Sequence, residues 1–134
     1  MTTLRRRAPD VLAAIFAISG TIHLVRPATF DALIPPVLPA PGAIIAVSGI
    51  AELVCAVALV RRVGWAGPVS AALLVAIAPG NVWMAVSTAA DPTASPALVA
   101  AAWLRLPLQL PLIWAALQAR PDHRPETRRA GTTT

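Results

Sequence analysis

The chain has 134 residues, 57% of them hydrophobic and only 13% charged, with a formal net charge of +5 and a mean hydropathy of +0.69. A soluble domain of this length needs a larger charged surface, so the composition points to one domain with lipid as its solvent. All eleven basic residues are arginine, and most lie between or beyond the apolar runs, as membrane orientation requires; this argues against nucleic acid as a partner.

The arginine-only usage reads as the base-composition bias of a GC-rich bacterial genome. Cys55 is the only cysteine, which excludes an intramolecular disulfide, a C-x-x-C redox pair and a thiolate metal site. His23 and His123 fall on opposite sides of the expected membrane, so no metal cluster is visible.

Met1 to Asp10 is a short basic lead before the apolar run that starts at Val11. Three consecutive arginines resemble the start of a secretory signal, but no clean small-x-small site follows and Arg26-Pro27 ends the run. The expectation is an uncleaved first span over 8–25. Pro27 to Pro41 holds five prolines yet also Phe30, Leu33, Ile34, Val37 and Leu38. It reads as a non-helical connection, serving either as a stiff capping loop or as a segment dipping back toward the bundle.

The second span is expected over 42–60, stopped by Arg61-Arg62, and the third over 64–87, with Trp65 anchoring it at the interface. Pro79-Gly80 should kink or locally unwind the third helix and free carbonyls near Asn81. Residues 88–96 form a second connection without arginine, and the fourth span covers 97–119. Residues 120–134 are polar and proline-containing and read as a disordered cytoplasmic tail. The amino terminus, the middle loop and the tail hold nine arginines, against only Arg26 in the other two loops. The positive-inside rule then gives an all-α, four-helix transmembrane bundle in a bacterial inner membrane, with both termini cytoplasmic.

Each span carries polar residues, and helix rise converts their positions into depths. From the outer ends, His23 lies roughly 5 Å deep, Asn81 roughly 10 Å, Arg105 roughly 12 Å, Glu52 roughly 15 Å and Gln109 roughly 18 Å. All fall in one half of the bilayer. Ser48 and Glu52 share a helix face, as do Arg105 and Gln109, at spacing i, i+4. These positions define a polar cluster of His23, Ser48, Glu52, Asn81, Arg105 and Gln109 opening toward the outside.

An arginine facing lipid is costly, so Arg105 needs a partner, and similar depth nominates Glu52, with Arg26 as the competitor. Such a pair serves equally well as a lock between helices two and four or as part of a functional pocket. Asn81 reads as an interhelical clamp, His23 as a rim residue, Cys55 as packing. Ser19, Gly20, Ser48, Gly49 and Ala51 read as sites of close helix approach.

These residues also resemble a family. Gly20-x-x-His23-x3-Pro27-x-x-Phe30, Pro35-Pro36-x-Leu38-Pro39, Ser48-Gly49-x-x-Glu52, Pro79-x-Asn81-x-x-Met84 and Arg105-x-Pro107-x-Gln109 occur in the order seen in DoxX-like membrane proteins, across residues 20–114. The resemblance implies a small four-helix bacterial membrane protein with Glu52, Asn81, Arg105 and Gln109 at the family's polar positions. It further implies a link to membrane redox systems or to the assembly of other membrane proteins. The chain lacks the cysteine pair that thiol–disulfide chemistry of its own would need.

Two functions follow as expectations. With no nucleophile–base pair, metal cluster or cofactor motif, the first is a non-catalytic membrane partner or assembly subunit, acting on another membrane protein or as a homo-oligomer. The second is a binder of a quinone or a lipid in the outer-half pocket, with Arg105, Gln109 and Asn81 as hydrogen-bond donors. Transport is least favoured, because the inner half offers no polar path.

Overall fold

A computed structural model describes residues 3–119 of the chain. Four helices make up the fold: α1 (Thr3–Val25), α2 (Pro41–Val60), α3 (Ala66–Ala90) and α4 (Pro96–Leu117), with a 3-10 helix (Pro27–Leu33) after α1. Among the described residues there is no strand. All four helices are long and apolar enough to cross a membrane, and the chain is a multi-pass helical bundle. The expected tail, residues 120–134, lies outside the described residues.

Local sequence explains most of the boundaries. Ser95 caps α4 by accepting a hydrogen bond from the Leu98 backbone N–H at 3.2 Å, with Pro96 at the first helical position. Asp91 closes the turn before it, accepting from the Thr93 backbone N–H at 2.8 Å and from its hydroxyl at 2.7 Å. Those bonds hold the Asp91 carboxyl below the usual carboxylate range. Arg62 and Ala40, which flank α2, adopt left-handed backbone conformations with φ of 54° and 51°. Ala40 is the N-cap of α2, wedged between Pro39 and Pro41.

Several boundaries differ from the sequence reading; α3, expected to end at residue 87, runs on to Ala90. Helix α1 starts at Thr3, so the Arg5–Arg7 run lies within its first turns as exposed side chains. The connection expected to be non-helical winds into a 3-10 helix over Pro27–Leu33. Proline at its first position supplies the helical φ and needs no N–H partner there.

The helices pack as two antiparallel hairpins, α1 with α2 and α3 with α4. In the first, Gly20 meets Gly49 so closely that a β-carbon at Gly20 would stand 2.7 Å from the Gly49 carbonyl oxygen. Asp10 and Arg62 join the other end of the same hairpin through two hydrogen bonds of 2.7 and 2.9 Å. In the second hairpin, a β-carbon at Gly67 would lie 2.7 Å from the Ala116 carbonyl oxygen. In lipid, apolar side chains gain little from leaving their solvent, so close backbone approach at small residues and dispersion carry the association.

The two hairpins meet in an apolar core at the end bearing the α1 amino terminus. Leu12 and Phe16 from α1, Cys55 and Leu59 from α2, Ala66 and Leu74 from α3, and Ala115 and Ala116 from α4 are buried together there. At the opposite end a smaller cluster, Met84, Ala85 and Ala102, packs with Leu33 and Leu106. Between these apolar layers the hairpins enclose a cavity. Outside, Val47, Ile50, Val54 and Val57 form an exposed apolar face along α2, as a lipid-contacting helix requires.

Candidate functional site: a polar-walled cavity within the bundle

The α1–α2 hairpin builds one wall. At the Gly20–Gly49 crossing, a β-carbon on Gly49 would sit 2.6 Å from the His23 β-carbon. Only glycine lets α2 come that near, and this brings Glu52, one turn further along α2, beside the imidazole. His23 Nδ1 donates to the Ser19 carbonyl at 2.8 Å and lies 3.4 Å from Glu52 Oε2. Glu52 is 3% exposed, and Oε2 has no hydrogen-bond partner beyond that long approach to His23. The two side chains are thus in close buried approach without a formed hydrogen bond between them.

The 3-10 helix covers this pair. Its one buried residue, Phe30, stacks on His23 with ring centroids 3.6 Å apart and planes 13° from parallel. Three residues on, the Leu33 carbonyl rests against α3, where a β-carbon at Gly80 would meet it at 3.1 Å. The connection thus dips into the bundle, and of its apolar residues Phe30, Leu33, Ile34 and Leu38 face the interior space while Val37 is exposed.

The α3–α4 hairpin builds the other wall. Pro79 has no N–H, so the Val75 carbonyl one turn earlier loses its helical partner. α3 runs unbroken through Pro79 and is not unwound. Gln109 of α4 donates through Nε2 to the neighbouring Leu74 carbonyl, and its Oε1 accepts from Asn81 Nδ2 at 3.4 Å. Gln109 thus ties α4 to the α3 backbone at Leu74, the residue before the carbonyl that Pro79 frees. Arg105 Nη1 donates to the Met84 thioether at 3.3 Å.

The cavity between the walls has a volume of about 420 Å³. Its lining includes all six residues of the expected polar cluster: His23, Ser48, Glu52, Asn81, Arg105 and Gln109. The rest of the wall is mainly apolar, with contributions from all four helices and from Phe30, Leu33, Ile34, Pro35 and Leu38 of the connection. Arg105 and Leu108 on the α4 side are exposed, so the cavity is not sealed.

One pairing differs from the sequence reading. Glu52 does not pair with Arg105: its ionic partner is His23, and no carboxylate lies within ion-pair distance of Arg105 among the described residues. Arg26, the other expected competitor, is exposed at the end of α1. Equal depth is compatible with any rotation of a helix about its axis. The glycine crossing turns Glu52 toward α1, while Arg105 faces Met84 on α3. Phe30, Ser19 and Met84 belong to the site and were missed as site residues. The signal for Ser19 lies in Gly20 and Gly49, which bring the Ser19–His23 face against α2.

Among the described residues no group of three metal-ligating side chains occurs. No curated protein and no solved structure matches the chain. A family model described as a domain of unknown function (DUF8561) matches residues 12–120, from the third turn of α1 to beyond the end of α4. The match takes in both walls of the cavity and the connection between them, and the chain belongs to the DUF8561 family.

Proposed function

We propose that this protein binds a small amphipathic molecule from the membrane in the cavity between its two hairpins, without transforming it. The observation that carries this reading is the cavity: about 420 Å³ of mainly apolar space into which a few polar groups from all four helices converge. That combination of size, apolar lining and sparse oriented polar groups is what ligand pockets share. A quinone or a lipid fits the description, since each presents polar oxygens on an apolar body. Hydrogen-bond donors for those oxygens are at hand in Arg105 and in the second amide N–H of Asn81.

In this reading the protein is a DoxX-like membrane subunit that holds its ligand for, or in response to, a partner in the membrane. The arginine distribution supports an inner-membrane orientation with both termini cytoplasmic, which opens the cavity end of the bundle to the outside. A reporter enzyme fused to the carboxy terminus tests that orientation, and activity only on the outer side would reverse it.

The binding reading is tested by filling the cavity. Ser48 lines it one turn from Glu52, and Ser48→Phe places a ring in the space a ligand would take. Wild-type and variant proteins, purified in the same mild detergent, are extracted and their small molecules compared by mass spectrometry. The expected result is a compound enriched with the wild type and lost from a variant of unchanged melting temperature. Identical extracts that mirror the bulk lipid would overturn the proposal.

A further inference from the structure

Resting on that binding reading, we infer that the ligand is an amphiphile with a single anionic head group, seated at Arg105, and an apolar body lying along the cavity. The argument begins with the charges on the wall. His23 and Glu52, 3.4 Å apart, form a unit of their own. The Glu52 carboxyl is thus turned toward α1 and away from Arg105. Arg105 is different. A guanidinium is always charged, and its one bonded partner among the described residues is the uncharged Met84 sulfur. The cavity wall therefore holds a cation with no anionic partner among the described residues.

Position makes that cation costly. Arg105 is nine residues into α4, roughly 13 Å along the helix from Pro96. At such depth a cation needs an anion or a path to water. Of the acidic residues described, Asp10 pairs with Arg62 and Glu52 with His23, while Asp31 and Asp91 are exposed and beyond ion-pair distance of Arg105. An anionic head group supplies the missing charge, and a carboxylate or phosphate matches the fork of guanidinium donors. The remainder of the ligand must be apolar, because the walls beyond Arg105 are Ile15, Phe16, Ile45, Leu74, Ile77 and Leu112. Gln109 adds little to the head-group site, since its amide is engaged with Leu74 and Asn81.

Oleate, oleyl alcohol and inorganic phosphate separate the parts of this inference. The full chain is held in a neutral maltoside detergent at mildly alkaline pH, and each probe is titrated while the melting temperature is followed. A ligand that binds the folded state raises that temperature with its concentration. Oleate should give a saturating rise, with oleyl alcohol and phosphate giving little. Arg105→Met should weaken oleate binding by about tenfold or more, as expected for loss of a charge-assisted hydrogen bond. Arg105→Lys keeps the charge and should keep most of the oleate shift, which distinguishes charge recognition from damage to the fold. Asp10→Asn, at the end of the α1–α2 hairpin away from the cavity, should leave oleate binding in place.

Equal shifts with oleate and oleyl alcohol would overturn the anionic head group and leave cavity binding standing. A shift with phosphate but not oleate would overturn the apolar body. Oleate binding that survives Arg105→Met undiminished would place the head group elsewhere and overturn the assignment. No shift with any probe, combined with empty extracts from the wild-type protein, would fail both the inference and the binding reading beneath it.

Discussion

Gly49→Ala is the sharpest perturbation of the site that adds only one carbon. The new β-carbon would stand 2.6 Å from His23 Cβ and 3.0 Å from the Gly20 carbonyl oxygen, where ordinary contact starts near 3.4 Å. Neither neighbour is the free end of a flexible side chain, so α1 and α2 must move apart by on the order of 1 Å, because packed interiors have no slack to absorb the overlap. Overpacking of this kind costs about 1–3 kcal/mol. The same displacement carries His23 away from Glu52, and their present 3.4 Å approach leaves little margin within ionic contact.

Gly42→Ala is the matched control. It lies on the same helix with nothing within 4 Å of its would-be β-carbon, and should be neutral or stabilising by up to about 0.5 kcal/mol. Unfolding of both variants in mixed micelles with rising denaturing detergent measures the difference. Equal stability of Gly49→Ala and Gly42→Ala would refute the close crossing and, with it, the placement of His23 beside Glu52.

Three further outcomes follow from the same geometry. Gln109→Leu removes both the donor to the Leu74 carbonyl and the acceptor for the Asn81 amide. It should lower stability by about 0.5–1.5 kcal/mol in the same unfolding assay, the net worth of a lost intramolecular hydrogen bond. Asp10→Asn removes one charge from the Arg62 pair, whose Asp10 side chain is half exposed. The expected loss is only about 0.2–1 kcal/mol and should shrink as salt is raised. Ala40→Gly relieves a left-handed conformation at the start of α2. A gain of up to about 1 kcal/mol in unfolding free energy is expected, and any loss would contradict the strained conformation.

The sequence made some of this visible and concealed the rest for identifiable reasons. Length of apolar runs and arginine placement located four helices, because a spanning segment in lipid must be both long and apolar. Depth along each helix brought His23, Ser48, Glu52, Asn81, Arg105 and Gln109 to one level, and all six line one cavity. Depth left rotation undetermined. Glu52 was expected to meet Arg105, yet the partner is His23, because the Gly20–Gly49 crossing fixes how α1 and α2 face each other.

The role of Phe30 was hidden differently. Proline content in residues 27–41 marked a break in the helix, which is what proline does to an α-helix. The same residue type also starts a 3-10 helix, and only the tertiary fold brings Phe30 onto the His23 ring. Pro79 predicts freed carbonyls near Asn81; the cross-helix bond runs instead to the Leu74 carbonyl, from Gln109, thirty-five residues away in sequence.

The central claim is that the cavity between the hairpins is a ligand site and not merely a packing defect. Native mass spectrometry of the wild-type chain, released from its own membrane in a mild detergent, tests it most directly. The account predicts a bound small mass that persists under activation sufficient to strip ordinary lipid and detergent. A bare chain, or a retained protein partner over an empty cavity, would contradict it.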